Sequence, residues 1–237
     1  MLAATILKLA TYGFLRVLIG FLPEATSYFL PLVLGLSILS LIYASLSTIR
    51  QIDTKAVIAY SSVAHMAVGL LGLFSLTTLG YEGAIYLSLA HGFVSPGLFI
   101  CCGGIIYVRL HTRIIPYIKG LAYYMPIFTI LFFMFTLCNA GIPLSLNFIG
   151  EILSLIASWQ HNPILAILGS TGIVLSACYS IFLYNRLSYG SISNYHAPLK
   201  DIDKREFNLL ITLLSTTLIL GILPPMLNFF YFNEQVF

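Results

Sequence analysis

The chain has 237 residues, of which 59% are hydrophobic and only 8% charged, with a formal net charge of +3 and a mean hydropathy of +0.97. A water-soluble domain carries about 25% charged residues to keep its surface solvated, so a soluble globular fold is excluded along the whole length. The small positive charge, with no basic run interleaved with aromatics, also excludes a nucleic-acid-binding role.

A helix needs about 20 apolar residues to cross the hydrocarbon core of a bilayer. Apolar runs fall at residues 1–22, 28–48, 57–79, 83–108, 121–159, 163–187 and 207–232. They predict an all-α integral membrane protein of about seven transmembrane helices, a single transmembrane domain over residues 1–237. No cleavable leader is expected, because no basic segment precedes the first run and no small-residue cleavage site follows it. Cys101, Cys102, Cys138 and Cys178 lie inside apolar runs with neither disulfide nor metal spacing, and read as inert packing residues.

Short polar joints separate the runs, and their basic residues alternate. The joint after the second run holds Arg50 and Lys55, and the joint after the fourth holds Arg109, Arg113 and Lys119. The joint after the sixth holds Lys200, Lys204 and Arg205, with Arg186 just before it. The joints after the first, third and fifth runs hold no lysine or arginine. Basic joints stay on the inner side of a membrane, so the alternation predicts seven crossings with the N-terminus inside and the C-terminus outside. Arg16 runs against the trend.

The fifth run is too long for one crossing: as unbroken helix, residues 121–159 would reach about 58 Å at 1.5 Å per residue. At its centre Asn139, Gly141, Pro143, Ser145 and Asn147 break the helix and free backbone polar groups. Unwound backbone at membrane depth survives only where protein or a water-filled cavity covers it, and such breaks mark ion or substrate sites in transporters. One long helix broken near Pro143 is the first expectation. A hairpin of two shorter helices is the other.

Charges within a bilayer cost about 2.5–3.5 kcal/mol each on insertion scales, which makes Lys8, His65, His91 and Glu151 candidate functional residues. Lys8 has Thr5 and Tyr12 about one turn away on its face, Ser61 lies one turn before His65, and Ser88 and Ser95 flank His91. Each has a plainer reading. Lys8 could snorkel to the interface, a lone histidine could be a hydrogen-bonded packing residue, and Glu151 could pair with a basic neighbour. Together, a lysine, two histidines that titrate near neutrality and a carboxylate are the parts of a proton path. No phosphate-binding glycine loop, nucleophile elbow, Cys-x-x-Cys pair or haem or zinc histidine spacing occurs, so no cofactor or metal is expected in this chain.

Several segments resemble a known family. Residues 7–16 (LKLATYGFLR), 50–66 (RQIDTKAVIAYSSVAHM), 89–99 (LAHGFVSPGLF), 109–113 (RLHTR), 142–151 (IPLSLNFIGE) and 179–186 (YSIFLYNR) are similar to NADH dehydrogenase subunit 4. Those proteins are antiporter-like subunits in the membrane arm of respiratory complex I. The motifs run in family order over essentially the whole chain, and the 109–113 element favours subunit 4 over its paralogues, subunits 2 and 5. The resemblance implies one antiporter-like repeat plus flanking helices, in the C-terminal half of the family from its eighth helix.

The same resemblance implies roles. Lys8 matches the central lysine, His65 and His91 match histidines that pass protons onward, and Glu151 on the broken helix matches the charged group leading outward. The serines and Tyr60 nearby are expected to order water. Met1 opens directly on the helix containing Lys8, whereas the family places a first repeat with its own buried glutamate and lysine before it. A separate chain carrying that missing half is therefore expected, packed on residues 1–22.

The expected function is a proton-translocating subunit of NADH:ubiquinone oxidoreductase, an enzyme whose NADH, flavin, iron–sulfur clusters and ubiquinone would be bound by partner subunits. Expected partners are other membrane-arm subunits and lipid. The richness in Phe, Ile, Tyr and Ser suggests an organelle-encoded chain of the mitochondrial inner membrane, with a bacterial plasma membrane as the alternative. Two other classes compete: a subunit of a stand-alone Mrp-type cation/proton antiporter, and a structural remnant that has lost transport.

Overall fold

Several helices in this chain start where the sequence offers an oxygen to the first free amides. Asp53 accepts from the Lys55 amide at 2.8 Å, Thr77 from Gly80 at 3.1 Å, Ser145 from Phe148 at 3.4 Å and Asn162 from Ile164 at 3.0 Å. Asp203 and Glu206 form a reciprocal capping box. The structure, a computed structural model, describes residues 2–191 and 199–224. The last part of the seventh expected span, residues 225–232, lies outside the described residues, as do residues 192–198 of the joint before it.

The helices are α1 (residues 2–21), α2 (Pro23–Arg50), α3 (Thr54–Leu73), α4 (Thr78–Leu110), α5 (Pro126–Asn139), α6 (Leu146–His161), α7 (Pro163–Ser188) and α8 (Lys204–Ile222). Among the described residues, α1, α2, α3, α4, α7 and α8 are each long and apolar enough to cross a bilayer. Large side chains such as Leu32, Leu36, Leu39 and Tyr43 of α2 are exposed, as expected of a surface that meets lipid. The protein is an all-α integral membrane protein.

The fifth crossing in chain order is made by α5 and α6 together, which brings the crossings to seven. Along α4 from Gly83 to Gly97, the facing residues run from Ser154 through Gly150, which lies against Leu87, to Phe135. Along α7 they run from Leu155 beside Gly169, to Asn139 bonded to Ser180, to Phe132 and Phe133 against Tyr184. Residues 126–161 thus pass both neighbours as one antiparallel line, and α5 and α6 meet end to end. The hairpin alternative is excluded by this order. The break covers residues 140–145, where Gly141 takes φ +71° and Leu144 φ 82°.

Close approach of the helices depends on small residues, as is usual in membranes. Gly72 of α3 and Gly83 of α4 both face Ser154 of α6, and a Cβ on either would stand 2.7 Å from its nearest Ser154 atom. The apolar core is densest toward one end, where Phe128, Phe132 and Phe135 of α5 are fully buried.

That end gathers the basic joints. Ile52 and Asp53 pair with residues 113–115 through Thr54 N donating to Arg113 O at 3.0 Å and Ile115 N donating to Ile52 O at 2.9 Å. Arg113 lies over the Tyr107 ring at 4.6 Å and Lys55 at 5.2 Å. Arg109 donates to Glu206 at 2.6 Å, and Asp201 accepts the first amides of α5, Ile127 at 3.1 Å and Phe128 at 3.3 Å. The three basic joints therefore share one end of the bundle, as the charge alternation requires.

Candidate functional site

Four helices deliver the ionisable side chains to one depth. His65 comes from the middle of α3, His91 from α4, Glu151 from the second turn of α6 and Lys8 from α1. Antiparallel packing of α4 on α6 brings His91 and Glu151 near each other, and α3 lies against both. His65, His91 and Glu151 are at most 2% exposed, while Lys8 is half-buried.

Two bonded groups result. Lys8 Nζ lies 2.9 Å from His91 Nδ1, and since a lysine donates, that ring nitrogen accepts. His65 Nδ1 lies 3.0 Å from Glu151 Oε1, and His65 Nε2 lies 3.1 Å from the hydroxyl of Tyr179 on α7. With Nδ1–H donating to the carboxylate, neutral His65 accepts from the tyrosine at Nε2. As an imidazolium it donates from both nitrogens, and the tyrosine oxygen accepts. The two imidazole rings stand 5.8 Å apart, centre to centre.

The break in the fifth crossing shapes the carboxylate's surroundings. A Cβ on Gly141 would stand 2.5 Å from Glu151 Oε2, so the bare backbone of the break is the wall against which the carboxylate rests. Asn147 donates to the Cys138 carbonyl at 2.9 Å, satisfying an acceptor left over where α5 ends, and Asn139 donates to Ser180 at 3.1 Å. His91 Nε2 and Ser95 Oγ, one turn apart and buried, have no hydrogen-bond partner among the described residues. Buried polar atoms of this kind ordinarily bind water.

The structure thus brings Lys8, His65, His91 and Glu151 into one buried row. It does not assemble all of their sequence neighbours there. Tyr60 is exposed and points away, Tyr12 is exposed, and Ser61 and Ser88 each donate at 2.8 Å to a carbonyl of their own helix. Sequence reasoning missed Tyr179 as a member of the row. Its only local signal is a small and polar stripe on α7, Gly169, Gly172, Ser176, Tyr179 and Ser180, all buried. Among the described residues no cluster of His, Cys, Asp or Glu is arranged to hold a metal ion.

Comparison with known proteins gives a consistent result. Residues 1–176 match the family described as NADH:quinone oxidoreductase/Mrp antiporter, TM. The chain is 57% identical over 223 residues to NADH-ubiquinone oxidoreductase chain 4 of Mycosarcoma maydis, covering 94% of this chain and 46% of that one. It is 47% identical to the protein of the same name from Metridium senile, covering 95% of this chain and 46% of that one. The chain spans about half the length of the curated relatives it matches. Among solved structures, a chain of respiratory complex I from Thermus thermophilus with bound NADH is 29% identical with a TM-score of 0.87, over 93% of this chain and 46% of that chain. A chain of the Mrp complex from Dietzia sp. DQ12-45-1b shares the fold with a TM-score of 0.84 at 19% identity, over 93% of this chain and 49% of that chain.

Proposed function

From the premise that this chain belongs to the NADH:quinone oxidoreductase/Mrp antiporter membrane family, we propose that it is a proton-translocating subunit of NADH:ubiquinone oxidoreductase, respiratory complex I. The observation that carries the reading is the buried row itself: Lys8 bonded to His91 and Glu151 bonded to His65, with the two imidazole rings 5.8 Å apart, centre to centre. Unused charges at that depth would only oppose insertion. Each pair holds a proton between an acid and a base, so the charge on one pair biases the charge on the other across a short, weakly screened distance. A shift in charge arriving along the membrane arm moves the proton from Lys8 and His91 toward His65 and Glu151, a population shift driven by quinone reduction elsewhere.

The redox work falls to partners: NADH, flavin, iron–sulfur clusters and ubiquinone belong to other subunits, and the location is the mitochondrial inner membrane. The open groove beside Lys8, lined by Thr11, Tyr12, Ile85 and Ser88, is where the rest of an antiporter unit packs, whether on this or another chain. The family description also names Mrp antiporters, which supports a second reading as a stand-alone cation/proton antiporter subunit. Co-purification of flavin and iron–sulfur proteins supports the first and removes the second. The direct test is proton translocation per NADH oxidised in Glu151→Gln and Lys8→Met. Both variants are expected to assemble and to lose most translocation, and normal translocation in both overturns the assignment.

A further inference from the structure

Tyr179 stands between two small internal spaces. One, about 10 Å³, is lined by His65, Glu151, Ser176 and Tyr179. The other, also about 10 Å³, is lined by Tyr179, Val57, Leu183, Thr48, Gln51 and Arg186. A space of that size accommodates about one water molecule. The first lies at the buried row. The second leads toward the basic end, where Gln51 follows α2 and Arg186 occupies the last turn of α7.

The geometry of α7 makes this a line. Ser176, Tyr179, Leu183 and Arg186 recur at three- and four-residue intervals and so share a face. Arg186 lies about 10 Å beyond Tyr179 at 1.5 Å per residue, and it is exposed, whereas Tyr179 is buried. Both ring nitrogens of His65 are bonded, one to Glu151 and one to the Tyr179 hydroxyl. A proton that reaches His65 from the basic end therefore passes through the phenol.

We propose that Tyr179 is a proton-carrying residue forming the inlet from the basic end to His65 and Glu151. The proposal rests on the relay reading above and adds a path within this chain. In the step, a hydrated proton in the outer space bonds to Tyr179 Oη while the hydroxyl's own proton moves to His65 Nε2. The Nδ1 proton of His65 then moves to Glu151 Oε1. One O–H bond forms and one breaks at the phenol, and one N–H bond forms and one breaks at the imidazole. Both end neutral, His65 is left in its other tautomer, and the carboxylate has gained the proton. Leu183, apolar and buried on the same face, keeps the inlet narrow enough for single waters.

Two variants separate the hydroxyl from the space. Tyr179→Phe keeps the ring and removes Oη. Val57→Ile adds one carbon to the outer space, about the room that its water needs, and leaves the Tyr179–His65 bond alone. In the complete membrane complex reconstituted into liposomes, and at equal complex content, Tyr179→Phe is expected to lower the initial rate of proton translocation about a hundredfold or more, and Val57→Ile is expected to lower it measurably. The double variant Val57→Ile/Leu183→Val, which gives back a carbon's width, is expected to recover most of that rate, a rescue that a merely structural defect would not show. Glu151→Gln is measured alongside. If Glu151→Gln stops translocation while Tyr179→Phe and Val57→Ile run at the parent rate, the relay stands and the inlet is overturned. If Glu151→Gln also runs normally, the relay reading falls and the inlet with it. Should Tyr179→Phe fail to assemble, the Val57 pair decides alone: no loss, or loss without rescue, overturns the inlet.

Discussion

The imidazoles of His65 and His91 stand 5.8 Å apart, tilted by 48°, and no hydrogen bond among the described residues joins them. His65 has both nitrogens engaged, and His91 has one engaged by Lys8 and one without a hydrogen-bond partner among the described residues. A proton crossing from one ring to the other needs a ring rotation or a bridging water, so in the proposed relay this gap is the step at which the row would open or close.

Replacing His91 by glutamine tests the gap. The amide oxygen can still accept from Lys8, but no ring nitrogen remains to take up and release a proton. His91→Gln is expected to lower proton translocation by about a hundredfold or more, in line with loss of a positioned acid–base group, with assembly retained. Translocation at the parent rate, measured per assembled complex, removes His91 from the path.

Gly141 is the second place to probe, because it joins backbone conformation to the carboxylate. Its φ of +71° disfavours any side chain by about 1–2 kcal/mol. A Cβ there would also stand 2.5 Å from Glu151 Oε2. Gly141→Ala is therefore expected to push Glu151 off His65 and to reduce translocation much as Glu151→Gln does, with a lower thermal midpoint of the complex. If translocation is unchanged, the carboxylate is not held by the break.

Much of this architecture can be read from the sequence, for a physical reason. Arg50, Lys55, Arg109, Arg113 and Lys119 must reach water, so their positions mark the ends of crossings, and the glycine and proline between Asn139 and Asn147 interrupt a helix. Lys8, His65, His91 and Glu151 stand out because each is a polar group in an apolar run. Their pairing is not legible. Lys8 has Thr5 and Tyr12 on its own helix face, and nothing in that spacing signals its bond to His91, 83 positions away. Tyr179 is hidden for the same reason: a tyrosine in an apolar helix is unremarkable until α7 packs beside α3 and puts its hydroxyl on His65. Local spacing describes one helix, and this site is made between helices.

Asp201 gives a prediction about stability. It lies just before α8 but caps the first two amides offered by α5, at 3.1 and 3.3 Å, and Arg109 holds the same segment through the Asp201 carbonyl at 3.3 Å. Loss of such a cap costs about 0.5–2 kcal/mol. Asp201→Ala is expected to lower the thermal midpoint of the complex while proton translocation at moderate temperature stays near the parent rate. A fall in translocation without a fall in stability would make Asp201 part of the path instead.

The last prediction concerns the sides of the membrane. Because residues 126–161 form one discontinuous crossing, the segment before Pro126 and the segment after Ser158 face opposite sides. Lys119 and Gln160 are both exposed, and each lies at an end of that crossing. A cysteine at either position should react with a membrane-impermeant maleimide from one side only, and the two sides should differ. The native thiols interfere little: Cys101, Cys102 and Cys138 are buried, and Cys178, though exposed, lies well inside α7 where the surface meets lipid. Lys119→Cys is expected to label from the side that also labels Arg50→Cys, because the joints holding Arg50 and Lys119 meet through Asp53 and Ile114. Gln160→Cys is expected to label only from the other side. Labelling of Lys119→Cys and Gln160→Cys from the same side would make α5 and α6 a hairpin that enters and leaves by one face. Glu151 would then no longer stand partway through a crossing, and the path drawn through it would lose its far side.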